Sequence, residues 1–160
     1  MPPAVIDRDS CDDDRDLVHR AVQALAEGKL VAFPTETVYG IAASGLDEAS
    51  VRRLIRIKGR GPEKPLALAI RGIEQAIDYC PGMSAVGRRL GRRCWPGPLT
   101  LVFPADHPEG LVRQLPPGVC QAVSPSGMVG LRVPDHRFIL SSLRLLSGPL
   151  ALTSANRSGQ

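Results

Sequence analysis

Five short, largely apolar runs, each bracketed by proline or glycine, alternate with segments whose apolar residues recur at helical spacing. That alternation limits the fold more than any other feature. Leu30 to Phe33 is cut off by Pro34, Leu66 to Ile70 lies between Pro65 and Gly72, and Leu99 to Phe103 follows WPGP. Met128 to Val133 stops at Pro134, and Leu150 to Thr153 follows Pro149. Runs this short, bounded by turn residues, read as buried strands. Between them, Leu17, Val18, Ala21, Val22 and Leu25 trace a helix that Gly28 ends, and Asp47 caps a helix through Val51, Leu54 and Ile55 with Gly59 at C′. Ile73 to Tyr79 forms a short helix, Met83, Val86 and Leu90 mark another, and Asp135 caps one through Phe138, Leu143 and Leu146 before Gly148. Strands interleaved with helices specify an α/β domain, a sheet covered by helices. The Pro- and Gly-rich stretch Pro104 to Gly127 is expected to be a long loop.

At 160 residues, 43% hydrophobic and 22% charged, the chain is one domain with enough apolar surface for a core, which excludes a disordered polypeptide. No apolar run approaches the roughly 20 residues that span a bilayer, and the opening MPPAVIDRDSCDDDRD lacks a signal-peptide layout, so a cytoplasmic location without membrane contact is expected. Residues 1–16 read as an acidic flexible leader and 17–160 as the domain. The leader holds six aspartates against Arg8 and Arg15, leaving eighteen basic and ten acidic side chains for the rest. A body this basic suits an anionic partner, a nucleotide or a nucleic acid. Cys11, Cys80, Cys94 and Cys120 are widely spaced and read as reduced thiols, and no His or Cys pairing has metal-ligand spacing, so no metal site is expected.

Four segments carry residues suited to chemistry. PTETVYG, residues 34 to 40, follows a strand directly and packs hydroxyls, a carboxylate and a phenol into one loop, although Thr37 to Tyr39 also fit a strand continuation with Glu36 solvated. In IRIKGRGPEKPL, the helix macrodipole accounts for Arg56 and Lys58, but Arg60 and Lys64 lie beyond the helix, where guanidinium and ammonium groups can grip phosphate. Arg132 stands alone in the strand GLRVP and needs an anionic partner or a path to water. LTSANRSG places Ser154 and Asn156 just after a strand, where they can bond a substrate or simply form an Asx or Ser turn. Arg88, Arg89, Arg92 and Arg93 make a basic helix with no interleaved aromatic, a solvated face or an RNA contact. The glycines spell neither a dinucleotide fingerprint nor a P-loop.

Taken in order, PTETVYG, K-x-R followed by KPL, WPGPLT, LRVP and TSANRSG resemble the signature series of the YrdC-like threonylcarbamoyl-AMP synthase family. The resemblance implies a twisted mixed sheet covered by helices, the YrdC/RibB-type fold, with a basic concave face. It implies synthesis of threonylcarbamoyl-AMP and pyrophosphate from L-threonine, bicarbonate and ATP, with Mg²⁺, for N6-threonylcarbamoyladenosine at position 37 of tRNA. ATP is then a substrate, no cofactor is tightly bound, and a downstream threonylcarbamoyl transferase receives the product. Carried over residue by residue, Thr37, Arg132 and Ser154 face threonine, Arg60, Lys64 and Asn156 face ATP, and Lys58 with Arg60 are the catalytic cations.

Relatives of this kind continue beyond SANRSG through further strands, so the domain is expected to lack its C-terminal end or to be naturally short, leaving a sheet edge open to pairing. The competing reading is a non-catalytic module of the same fold that binds tRNA or double-stranded RNA. A carbamoyl-adenylate domain of hydrogenase-maturation type is a third.

Overall fold

A computed structural model describes residues 3–6, 14–59, 61 and 63–156. Helix α1 (Asp14–Ala26) starts with Asp14 and Asp16 in its first turn, where carboxylates oppose the positive helix end, and buries Leu17, Val18, Ala21 and Leu25. The last residues of the acidic stretch are thus helical, while residues 7–13 lie outside the described part. The chain leaves α1 through Gly28, whose φ of 76° and close approach to Asp47 admit no side chain easily.

Strands β1 (Val31–Phe33) and β2 (Gly40–Ser44) pair antiparallel. Helix α2 (Glu48–Lys58) begins at Asp47, whose side chain accepts the Ala49 N–H, and ends at left-handed Gly59 with φ 56°, as the capping pattern predicts. Next come β3 (Ala67–Ala69), α3 (Ile73–Tyr79) and α4 (Ala85–Cys94), the last capped by Ser84, which accepts the Gly87 N–H. Then follow β4 (Thr100–Pro104), a 3₁₀ turn at Leu111–Gln114, α5 (Pro117–Val123), β5 (Met128–Arg132), α6 (Arg137–Leu145) and β6 (Leu150–Ser154).

The six strands form one mixed sheet in the order β1-β2-β6-β3-β5-β4, parallel between β3 and β5 and antiparallel elsewhere. This is the expected helix-covered α/β sheet. Alternation along the strands divides the core in two. Ala43, Leu68, Phe103, Val129, Leu131 and Ala151 pack with apolar residues of α2 to α5, including Val51, Leu54, Ala76 and Val119. From the opposite face, Phe33, Ala42, Ala69, Leu150 and Leu152 meet Ala21 and Leu25 of α1 and Ile139 and Leu143 of α6. That second cover stops short of the sheet's far side. Thr100, Val102, Pro104 and Met128 are exposed on β4 and β5, and their register puts them on the face that carries Arg132.

Four expectations need correction. The stretch Pro104 to Gly127 is not a continuous loop: Pro117 opens α5 at a position where its missing N–H costs nothing, and Val119 and Val123, one turn apart, fill the core. Strand β2 escaped notice because Gly40, Ala42 and Ala43 carry no β-branched signal, and Thr37 to Tyr39 form an exposed loop instead of extending a strand. His136, through Nδ1 to the Phe138 N–H, caps α6 where Asp135 was expected to. Val86 and Leu90 are exposed; α4 turns Gly87 and Gly91 inward, and a Cβ at Gly91 would come 2.5 Å from Ile73 Cδ1.

Candidate active site

The loop between β1 and β2 is folded by one hydroxyl. Thr35 Oγ1 accepts the N–H groups of Thr37 at 3.3 Å and Val38 at 3.2 Å and lies 2.5 Å from the Val38 carbonyl, to which it donates. This turn carries Glu36 and Thr37 across to β5, a strand separated from β2 by β6 and β3 in the sheet order. There Glu36 Oε1 pairs with Arg132 Nη2, which also donates to Thr37 Oγ1 at 3.0 Å. Glu36 Oε2 accepts the Asp135 N–H at 3.1 Å.

The Glu36 and Arg132 side chains are 15% and 18% exposed, so the pair is sheltered from bulk screening. Burial alone would raise the Glu36 carboxyl, but the hydrogen bond and charge of Arg132, with the backbone N–H groups, outweigh it and hold the group below the ordinary carboxylate value. Arg132 Nε is buried without a hydrogen-bond partner among the described residues, which leaves this guanidinium under-satisfied.

The other end of the same loop meets the TSAN segment. Gly40 pairs with Ser154 in the β2–β6 ladder, and Tyr39 O accepts the Ala155 N–H at 2.8 Å. A Cβ at Gly40 would stand 2.8 Å from Leu152 Cδ1, so any side chain here would require Leu152 to shift. From the end of α2, Lys58 inserts an ammonium that donates to Ser154 O at 2.6 Å and to Asn156 O. Lys58 is 5% exposed. A buried cation needs such partners, and these carbonyls supply part of them.

The residues singled out in the sequence therefore fall into two connected groups. Thr37 and Arg132 touch, Lys58 holds the turn of Ser154 and Asn156, and residues 36 to 40 link one group to the other. Lys64 is exposed in the segment after α2, its N–H bonded to Gly61 O, and Arg60 lies outside the described residues. Glu36 is the residue that sequence reasoning missed as a site member. A signal was available: Arg132 needed an anion, and Glu36 is the one carboxylate between Glu27 and Asp47.

Other features stand apart from these groups. Arg88, Arg89, Arg92 and Arg93 are all exposed on α4. A groove of about 270 Å³ lies between α1 and α6, lined by Asp14, His19, Arg137, Phe138, Ser141 and Arg144 among others, and it shares no residue with the Arg132 or Lys58 groups. Among the described residues no three His, Cys, Asp or Glu side chains converge as metal ligands, and no helix is long and apolar enough to cross a membrane.

The sequence and fold have clear relatives. A threonylcarbamoyl-AMP synthase of Pyrococcus abyssi is 40% identical over 136 residues, covering 85% of this chain and 37% of that protein. One from Chromohalobacter salexigens is 34% identical over 145 residues, covering 91% of this chain and 74% of that protein. The crystal structure of P. abyssi Sua5 complexed with L-threonine superposes with a TM-score of 0.79 at 36% identity, over 92% of this chain and 41% of that one. This chain thus spans less than half the length of the archaeal relative. Residues 23–160 match the family model Sua5_yciO_yrdC, which bears the description Telomere recombination. By that match, together with the conserved architecture of its relatives, the chain belongs to the Sua5/YciO/YrdC family.

Proposed function

We propose that this chain is an L-threonylcarbamoyladenylate synthase domain, which makes threonylcarbamoyl-AMP and pyrophosphate from L-threonine, bicarbonate and ATP in the cytoplasm, to supply tRNA modification. The observation that carries the reading is the loop 34–40, which joins Arg132 at its middle and the Lys58-held turn of Ser154 to Asn156 at its end. The names of the relatives and the threonine bound to the archaeal protein support it.

Arg132 is the partner for the threonine carboxylate, since its bonds to Glu36 and Thr37 use only Nη2 and keep Nη1 for an anionic acceptor. Thr37 and Ser154 hydroxyls orient the amino acid. Arg60, Lys64 and Asn156 take the ATP side, while Lys58 fixes the Asn156 turn and adds positive charge beneath it. The threonine amine, once deprotonated, adds to bicarbonate-derived CO₂ to give a carbamate. A carbamate oxygen then attacks the α-phosphorus, and the bond to pyrophosphate breaks. No covalent enzyme nucleophile is needed: the protein's task is to hold two anions in line and offset developing charge. Mg²⁺ would be brought by the triphosphate of ATP, to which it binds through phosphate oxygens.

Pyrophosphate release from ATP that requires both threonine and bicarbonate tests the reading, and a chain that binds neither threonine nor ATP would sink it. A second reading, direct RNA binding, draws on the four exposed arginines of α4. Replacing them with alanine should flatten the salt dependence of tRNA binding without changing pyrophosphate release. A salt slope unchanged by those replacements would remove α4 from any RNA interface.

A further inference from the structure

We infer that Glu36 is a positioning residue for the amino-acid pocket: it straps the loop 34–39 across the sheet and holds the Arg132 guanidinium in the orientation that receives a substrate carboxylate. The inference rests on the threonine-binding role proposed above for Arg132.

The loop is rooted on β1 and β2, whereas Arg132 ends β5, with β6 and β3 between them. Backbone pairing therefore does nothing to bring Thr37 to Arg132. Their contact depends on side chains that reach over the face, and Glu36 is anchored at both oxygens, one on Arg132 and one on the Asp135 N–H. Two anchors fix the carboxylate where one would let it swing. An arginine on an otherwise apolar strand has several rotamers open to water, and ordering them in advance lowers the entropy cost of binding.

The same geometry argues against two other roles. With both oxygens engaged and the carboxyl held below its ordinary value, Glu36 is a poor proton acceptor for the substrate amine. Nor does it saturate the guanidinium: the bonds of Arg132 to Glu36 and Thr37 both use Nη2, which keeps Nη1 for another acceptor. Glu36 fixes one corner of the guanidinium and leaves donor capacity for a second carboxylate.

Glutamine supplies the sharpest test. It preserves the volume of Glu36 but offers one acceptor oxygen where two donors wait, so one anchor must fail. L-Threonine and ATP would be titrated calorimetrically, in separate runs, into the 160-residue chain as wild type, E36Q and E36A, with urea midpoints measured alongside. In ¹⁵N-arginine spectra the Arg132 Nε–H signal, assigned by its loss in R132K, reports whether the guanidinium stays buried and ordered. Threonine affinity should fall about tenfold in both variants, the scale of one charge-assisted hydrogen bond, while ATP affinity stays within about twofold. The Arg132 signal should move to the position of exposed arginines.

Wild-type threonine affinity in E36Q and E36A would overturn the inference alone. So would parallel losses of threonine and ATP affinity, which would mean general damage to the fold. If the wild type itself binds ATP but no threonine, the proposed function falls, and this inference with it.

Discussion

Replacing Lys58 with methionine keeps an unbranched apolar stem and removes an ammonium that is 5% exposed. Its hydrogen bonds to Ser154 O and Asn156 O are the quantities at stake. A hydrogen bond to a charged group contributes about 1.5–3 kcal/mol, so the gross loss is roughly 3–6 kcal/mol. Two effects reduce it. Ser154 and Asn156 are exposed, so water can take over part of the bonding. The variant also escapes the desolvation of a buried cation, several kcal/mol before relaxation. A net cost of about 2 kcal/mol remains, which lowers the melting temperature by roughly 4–8 °C for a domain of this size.

The assay is urea and thermal denaturation without ligand, joined to hydrogen exchange at the Ala155 amide, whose acceptor is Tyr39 O. Both should report loosening of the turn before any substrate is added. If the task of Lys58 were confined to phosphate, deleting a buried cation would leave the unliganded protein as stable or more so. An unchanged urea midpoint together with unchanged Ala155 protection would therefore refute the structural role.

Three further outcomes follow from particular groups. The Glu36 carboxyl is lowered from 4.5, so its stabilising contribution is complete above that value and lost as pH falls through the lower folded one; E36Q should converge on wild-type stability across that acid range, as acid titrations of the urea midpoint would reveal. Burial pushes the Cys80 thiol up to about 11 and the Tyr79 phenol to about 12, so their neutral forms favour folding fully below pH 9 and 10 respectively and lose that advantage as pH rises through the folded values. Alkylation of the native protein at pH 8 should accordingly label Cys94 and Cys120 ahead of Cys80, and rapid Cys80 labelling would contradict its burial. Finally, Gly91→Ala should destabilise by about 1–3 kcal/mol despite its helix-propensity gain, because the new methyl meets Ile73 Cδ1 at 2.5 Å and Trp95 at 3.1 Å; a raised urea midpoint would show that these side chains yield freely.

The elements legible in the sequence were those marked by strong local chemistry. Asp47 and Gly59 delimit α2 because a side-chain cap and a left-handed glycine act within a few residues. The runs around Leu68, Leu131 and Ala151 read as strands because short apolar segments between prolines and glycines have few alternatives. Where local signals were silent, tertiary packing decided. Strand β2 opens on Gly40, where Leu152 packs close, and α4 buries glycines so that Phe103, Ile73 and Trp95 can approach. Proline and glycine concealed α5, whose two buried valines are too sparse a stripe to announce a helix.

The site shows the same division. Arg132 declared itself as a charge that needed a partner, and Thr37, Ser154 and Asn156 as polar groups at strand ends. Glu36 could not be joined to Arg132 by any pattern of spacing, since 96 positions separate them and only the folded loop brings them together.

Strand β6 gives the sheet a particular history of assembly. It lies late in the chain yet sits between β2 and β3, and among the described residues no other strand joins the β1–β2 hairpin to the β3-β5-β4 group. Until residues 150–154 have left the ribosome, the nascent polypeptide holds two fragments whose inner edges carry unsatisfied backbone donors and acceptors. Those edges invite pairing with other chains, and joining them closes a long loop, which slows folding. The residues that follow β6 build the turn that Lys58 grips. The Lys58-held turn of the candidate site therefore forms in the same event that joins the sheet, so protection of that turn and resistance to proteolysis should emerge together during synthesis.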